Sequence, residues 1–191
     1  DSLRSSYEAI SSLKEKKYFG RLLFGIYDRF QSISPLFPFR DLSKPNFASL
    51  YFRRLILNNG LCRSLIEYVK KTSIPFVTTH FIPALAAHYF GLKNIYCIVT
   101  DTDVNRVWVP DTPKKCRITY LASCRHVVIR LKEYGIDENR IILTGFPLPK
   151  ENIGDKNKSV LRRDLGERMP NLDPYGRYIS AHFDTIKASL G

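Results

Sequence analysis

Between Asn46 and Thr144 the chain alternates stretches of helical periodicity with short runs of β-branched apolar residues, and this alternation constrains its fold more than any other feature. Phe47, Leu50, Tyr51, Leu55, Leu61, Cys62, Leu65, Ile66 and Val69 recur at mostly helical spacing. They predict a long amphipathic helix over 46–71, capped by Asn46 and kinked near Asn58 to Gly60. Strands are predicted near 74–78, 94–100, 117–122 and 140–144, with a helix from Pro83 to Tyr89 and another from Arg125 to Tyr134 that ends at Gly135. Successive βαβ units of this kind imply an α/β domain, a Rossmann-like parallel sheet flanked by helices. Ligands in such sheets bind beyond the carboxyl ends of the strands, so 78–83, 100–108 and 145–149 are the segments to inspect.

The flanks differ in character. Residues 1–45 hold Tyr18, Phe19, Phe24, Tyr27 and Phe30, then Pro35, Phe37, Pro38 and Phe39, a pattern that predicts two short helices and an exposed loop. Residues 150–176 are polar and punctuated by Pro170, Pro174 and Gly176, which reads as a linker. A short helix is predicted over 178–190.

A formal charge of +12 in 191 residues favours a polyanionic partner: nucleic acid, anionic lipid or nucleotide phosphate. The basic residues come in scattered pairs such as Lys16–Lys17, Arg53–Arg54 and Lys114–Lys115, without an RNP pattern, a helix-turn-helix signature or zinc spacing. Nucleic acid is therefore not the expected partner. Cys62, Cys97, Cys116 and Cys124 fall on segments read as helix or strand interior and form no C-x-x-C pair, which fits a reduced, cytoplasmic setting. No signal peptide is visible, and the apolar stretch near Phe81 to Phe90 falls well short of the about 20 residues a bilayer span needs.

From Thr78 the chain reads T-T-H-F-I-P, then C-I-V-T-D-T-D-V-N-R-V-W-V-P, then Y-L-A-S, then L-K-E-Y-G-I-D-E-N-R-I-I-L-T-G-F-P-L. This succession resembles the N-terminal domain of GT-B glycosyltransferases of the monogalactosyldiacylglycerol synthase and processive diacylglycerol glucosyltransferase group. It is similar, more distantly, to the lipid-linked GlcNAc transferase of peptidoglycan synthesis. The matching positions are His80 and Pro83, Thr100, Asp101 and Trp108, Ser123, Gly135 and Ile136, and Gly145 and Pro147. No single motif is specific. Their order over 74–149 carries the likeness, and Leu161 to Gly166 extends it, whereas 1–73 fits only by element order and a Ser/Tyr-rich start.

The resemblance implies that 1–149 is an acceptor-binding domain and 150–191 a linker with the start of a donor-binding domain. It implies an inverting enzyme that moves a sugar from a nucleotide-sugar to a lipid or lipid-linked hydroxyl on the cytoplasmic side of a membrane, peripheral to an anionic leaflet. The nucleotide-sugar would be held by a further domain, and no metal or cofactor is expected. Family members begin with a strand and a glycine-rich loop carrying a His assigned as base. This sequence has no such loop, so the expected chain is a fragment inactive by itself. A non-catalytic GT-B-like module that binds a lipid or a partner is the alternative.

Each site residue has a competing structural role. Asp101, the candidate catalytic carboxylate, could orient the acceptor or cap a turn, and Asp103 reads better as a cap. His80, Thr100, Asp101 and Trp108 are the acceptor-binding candidates, although Trp108 lies between Val107 and Val109 and could equally fill the core. Arg106 is either a phosphate ligand or a solvated cation. His88 reads as packed, and nothing is assigned to His126 or His182. Gly145 and Pro147 would direct the chain at the cleft between domains.

Overall fold

The computed structural model describes residues 33, 41–72 and 74–190. The helices and loop expected over 1–45 fall mostly outside these residues. Two compact units divide the chain, Asp1–Phe146 and Pro147–Gly191.

In the first unit, helix α1 (Phe47–Asn59) starts where Asn46 Oδ1 accepts from the Ser49 amide at 2.8 Å. It stops at Gly60, whose left-handed backbone (φ 68°) an L side chain resists. Cys62 is also left-handed (φ 64°), and a separate helix α2 (Arg63–Thr72) follows. The single kinked helix of the sequence reading is thus two helices, because the positive φ angles at Gly60 and Cys62 break the hydrogen-bond ladder. Cys62 lies in their turn. Only Cys97 is in a strand, since Cys116 precedes one and Cys124 caps a helix, and all four thiols are free.

Strands β1 (Phe76–Thr78), β2 (Ile95–Ile98), β3 (Ile118–Ala122) and β4 (Ile141–Leu143) form one parallel sheet in the order β1-β2-β3-β4. This is the α/β architecture that the alternation predicts. Helix α3 (Phe81–Tyr89) joins β1 to β2, and helix α4 (Arg125–Glu133) joins β3 to β4. Pro83 sits inside the first turn of α3, where its missing amide proton would have had no helical partner. Val127, Arg130 and Leu131 put the buried stripe of α4 at i, i+3 and i+4.

Strand alternation separates two faces. Ile95, Cys97, Ile118, Tyr120 and Ala122 are buried and meet α3, α4 and the β2–β3 connection. On the other face, Val77 pairs with Tyr96 and Tyr96 with Thr119, while Ile98 pairs with Leu121 and Leu121 with Ile142. These residues are exposed or half-buried.

The β2–β3 connection crosses by two short 3-10 turns, Arg106–Trp108 and Pro113–Lys115. Val104, Val107 and Val109 drive it into the core. Arg106, only 5% exposed, holds it closed: Nη1 donates to Val109 O at 2.7 Å, and Nη2 to Ser43 O at 2.8 Å and Pro110 O at 3.2 Å. Its Nε, also buried, has no hydrogen-bond partner among the described residues. Arg106 is therefore neither a solvated cation nor open to a phosphate; it supplies donors to carbonyls that the turn leaves unpaired.

The second unit is helical, including the stretch 150–176 whose proline and glycine punctuation predicts no helix. Helices α5 (Lys150–Ile153), α6 (Ser159–Leu172), α7 (Arg177–Ala181) and α8 (Phe183–Leu190) occupy it. Pro170 lies in the last turn of α6, where it removes one ladder bond without ending the helix, and no residue of α6 is fully buried.

Candidate functional site

The carboxyl edge of the sheet is assembled by three strand exits. At the first, Thr78 Oγ1 accepts from the His80 amide at 3.1 Å, which turns the chain into α3. His80 then caps that helix, its Nδ1 accepting from the Ile82 amide at 3.3 Å while its ring stacks on Phe81 at 4.7 Å. Desolvation lowers the imidazole pKa, and the Asp101 carboxylate partly offsets this. With Nδ1 an acceptor, the neutral ring carries its proton on Nε2. His80 is thereby set up as a hydrogen-bond donor at the edge rather than as a base.

At the second exit the ladder continues one residue past β2, with Val99 N donating to Leu121 O at 2.9 Å, before the chain turns through Thr100–Asp103. The end of β3 grips this turn: Ser123 Oγ donates to Asp101 O, and Cys124 Sγ contacts Thr102 O at 3.4 Å. Thr100 and Asp101 are exposed, and the Asp101 carboxylate has no hydrogen bond or ion pair among the described residues. Its backbone is held by Ser123 while its carboxylate is an unspent acceptor facing solvent near His80.

Asp103 is spent. Its Oδ1 accepts from Val104 N at 2.8 Å and Arg130 Nε at 2.9 Å, and its Oδ2 from Arg130 Nη2 at 2.7 Å and His126 Nε2 at 2.8 Å. Burial alone would raise its pKa, but the bonds from Arg130 and His126 outweigh it and hold the carboxyl below its ordinary value. Sequence reasoning gave Asp103 a capping role and His126 none. The available signal was the i, i+4 spacing of His126 and Arg130 on one face of α4.

Trp108 is 7% exposed, 5.7 Å from the Phe81 ring, and its carbonyl accepts from the buried Tyr120 hydroxyl at 2.7 Å. A ring that stacks on a sugar must present a face to the cleft, and this one belongs to the core, reaching His80 only through Phe81. The third exit is at Gly145 (φ 84°), whose amide, with that of Thr144, donates to Ala122 O. Its backbone conformation is one that glycine alone adopts cheaply. Pro147 opens the second unit.

His80 and Asp101 thus come together, Thr100 lies beside them, and Trp108 stands behind. Among the described residues no group of three His, Cys, Asp or Glu could hold a metal ion, and no helix is long and apolar enough to cross a membrane. His88, read as packed, accepts from the Arg117 amide through Nδ1 at 3.3 Å, and burial followed by the Arg117 charge lowers its pKa to about 4. Compared with known protein families, curated proteins and solved structures, the chain matches none.

Proposed function

We propose that this chain is the acceptor-binding half of an inverting GT-B glycosyltransferase that moves a sugar from a nucleotide-sugar to a lipid or lipid-linked hydroxyl. The observation that carries the reading is the pairing of an unspent carboxylate, Asp101, with a neutral donor, His80, on adjacent exits of a parallel sheet. Ligands of such sheets bind at that edge. A carboxylate there accepts the proton of an acceptor hydroxyl as a hydrogen bond and orients its oxygen, while the His80 Nε2–H donates to a neighbouring oxygen. The nucleotide-sugar is bound by a further domain of the kind that the resemblance implies. The charge of +12 favours an anionic leaflet, where each well-placed Lys or Arg contributes about 1 kcal/mol.

The test is transfer activity of the full-length protein carrying Asp101→Asn. Loss of positioning lowers the rate by about 10- to 100-fold, equivalent to about 1.4 to 2.8 kcal/mol, with thermal stability unchanged because the carboxylate bonds nothing else described. Wild-type transfer in that variant removes Asp101 from the site. The burial of Trp108 favours a second reading, a non-catalytic lipid- or partner-binding relative, since it deprives the edge of an aromatic wall. Lipid binding by a full-length protein without detectable transfer would select it.

A further inference from the structure

We propose that the opposite, amino-terminal edge of the sheet carries a second site, a groove that binds a phosphate monoester, whether free or displayed as a lipid headgroup. The groove, about 410 Å³, is lined by Arg53 of α1, by His88 to Gly91 at the end of α3, and by Asp111, Thr112, Lys115 and Arg117 on the approach to β3. A volume of this size is within the range of about 300 to 1,000 Å³ typical of small-molecule sites.

Its charge is unbalanced in one direction. Three cations, Arg53, Lys115 and Arg117, face one carboxylate, Asp111, which leaves a net charge of +2 when His88 is neutral. That carboxylate is occupied: Oδ1 accepts from the Tyr89 hydroxyl at 2.9 Å and Oδ2 pairs with Arg53 Nε at 3.2 Å. Burial pushes the Tyr89 phenol pKa up, which keeps it a donor to Asp111. Lys115 and Arg117 have no carboxylate partner among the described residues, and the Arg53 pairing uses only Nε. The groove therefore holds uncompensated donors of the kind that bind phosphate oxygens, Arg through its fork and Lys as a point charge.

The backbone is arranged around these cations. His88 Nδ1 accepts from the Arg117 amide, which fixes the chain at Arg117 and leaves the imidazole proton on Nε2 as a further neutral donor. Gly91 runs close beneath the Arg117 guanidinium, where an added Cβ would lie 3.4 Å from Nη1. A dianionic phosphate monoester matches the net charge, the donor set and the size of the groove. The site lies across the sheet from His80 and Asp101 and does not depend on the sugar-transfer reading.

Calorimetric titration of the whole chain with inorganic phosphate, followed by flotation with phosphatidylcholine vesicles with and without phosphatidate, tests the site. Phosphate should bind saturably, and the double variant Lys115→Gln/Arg117→Gln, both exposed positions, should bind at least about tenfold more weakly while melting as the wild type does. Arg125→Gln, a cation on α4 outside the groove, should bind as the wild type. Phosphatidate-dependent flotation that disappears in the double variant assigns the source to lipid, and flotation unchanged by it assigns a soluble phosphate. Absence of saturable phosphate binding together with variant-independent flotation overturns the proposal, as does an equal loss in Arg125→Gln, which would reduce the effect to net charge.

Discussion

Asp103→Asn is the sharpest test of what holds the carboxyl edge in place. The substitution keeps size and shape but removes the charge facing Arg130, whose side chain is 3% exposed, and replaces a carboxylate that accepts four hydrogen bonds. Removing one partner of a fully buried pair costs about 3 to 5 kcal/mol. The Asp103 side chain is 20% exposed, and an Asn oxygen still accepts one bond, so the expected loss is about 2 to 3 kcal/mol. At about 2 to 4 °C per kcal/mol for a chain of this length, Tm falls by about 4 to 12 °C.

Urea denaturation across pH supplies the signature. Because the folded carboxyl titrates below its ordinary 3.8, its contribution is complete above that value and disappears as pH falls through the folded pKa. The gap between wild type and variant should therefore close below about pH 4. Adding Arg130→Met to Asp103→Asn should recover part of the loss by removing a buried charge that has lost its Asp103 partner. A loss under about 0.5 kcal/mol, the scale of an exposed ion pair, would refute the argument that this cluster anchors the edge.

His88, with its pKa lowered by burial from 6.5 to about 4, should destabilise the fold progressively as pH falls from 6.5 toward 4, because the unfolded chain takes up the proton first; the total is about 3 kcal/mol. His88→Asn should flatten that part of the stability profile in denaturant titrations, and an unchanged slope would mean that another group titrates there. Trp108→Ala should cost about 3 to 5 kcal/mol by calorimetry, as expected for emptying a packed aromatic site, and a variant that melts normally would place the ring outside the core.

The sheet was legible because its strands are short β-branched runs set between helices of clear period, as in Ile95–Ile98 and Ile118–Ala122. What escaped depends on contacts distant in sequence. His126 joins Asp103 across 23 positions, and Arg106 reaches Ser43 across 63. Such partners leave no local periodicity. Trp108 was ambiguous for a related reason: an aromatic between two valines fits a core or a cleft, and only its approach to Phe81 and the Tyr120 bond to its carbonyl place it in the core. His80 was read as an acceptor contact, yet its Nδ1 also caps α3, a role more often given to Ser, Thr, Asp or Asn. The α6 helix was missed because Pro170, Pro174 and Gly176 were weighed as breakers, although Leu161, Leu165 and Met169 recur every four residues.

The sheet is laid down in the order in which the chain is written. Phe76 pairs with Ile95, Ile95 with Ile118, and Tyr120 with Ile141, so each new strand docks on the edge left by the one before it. Closing the segment between two neighbouring strands costs entropy that grows only as the logarithm of its size, and none of these four strands has to wait for a later one to be inserted beside it. A nascent chain can therefore complete the sheet stepwise during synthesis, with α3 and then α4 covering each added pair. Until β4 arrives, the growing edge is β3, whose Tyr120 and Ala122 are among the most buried residues of the finished core.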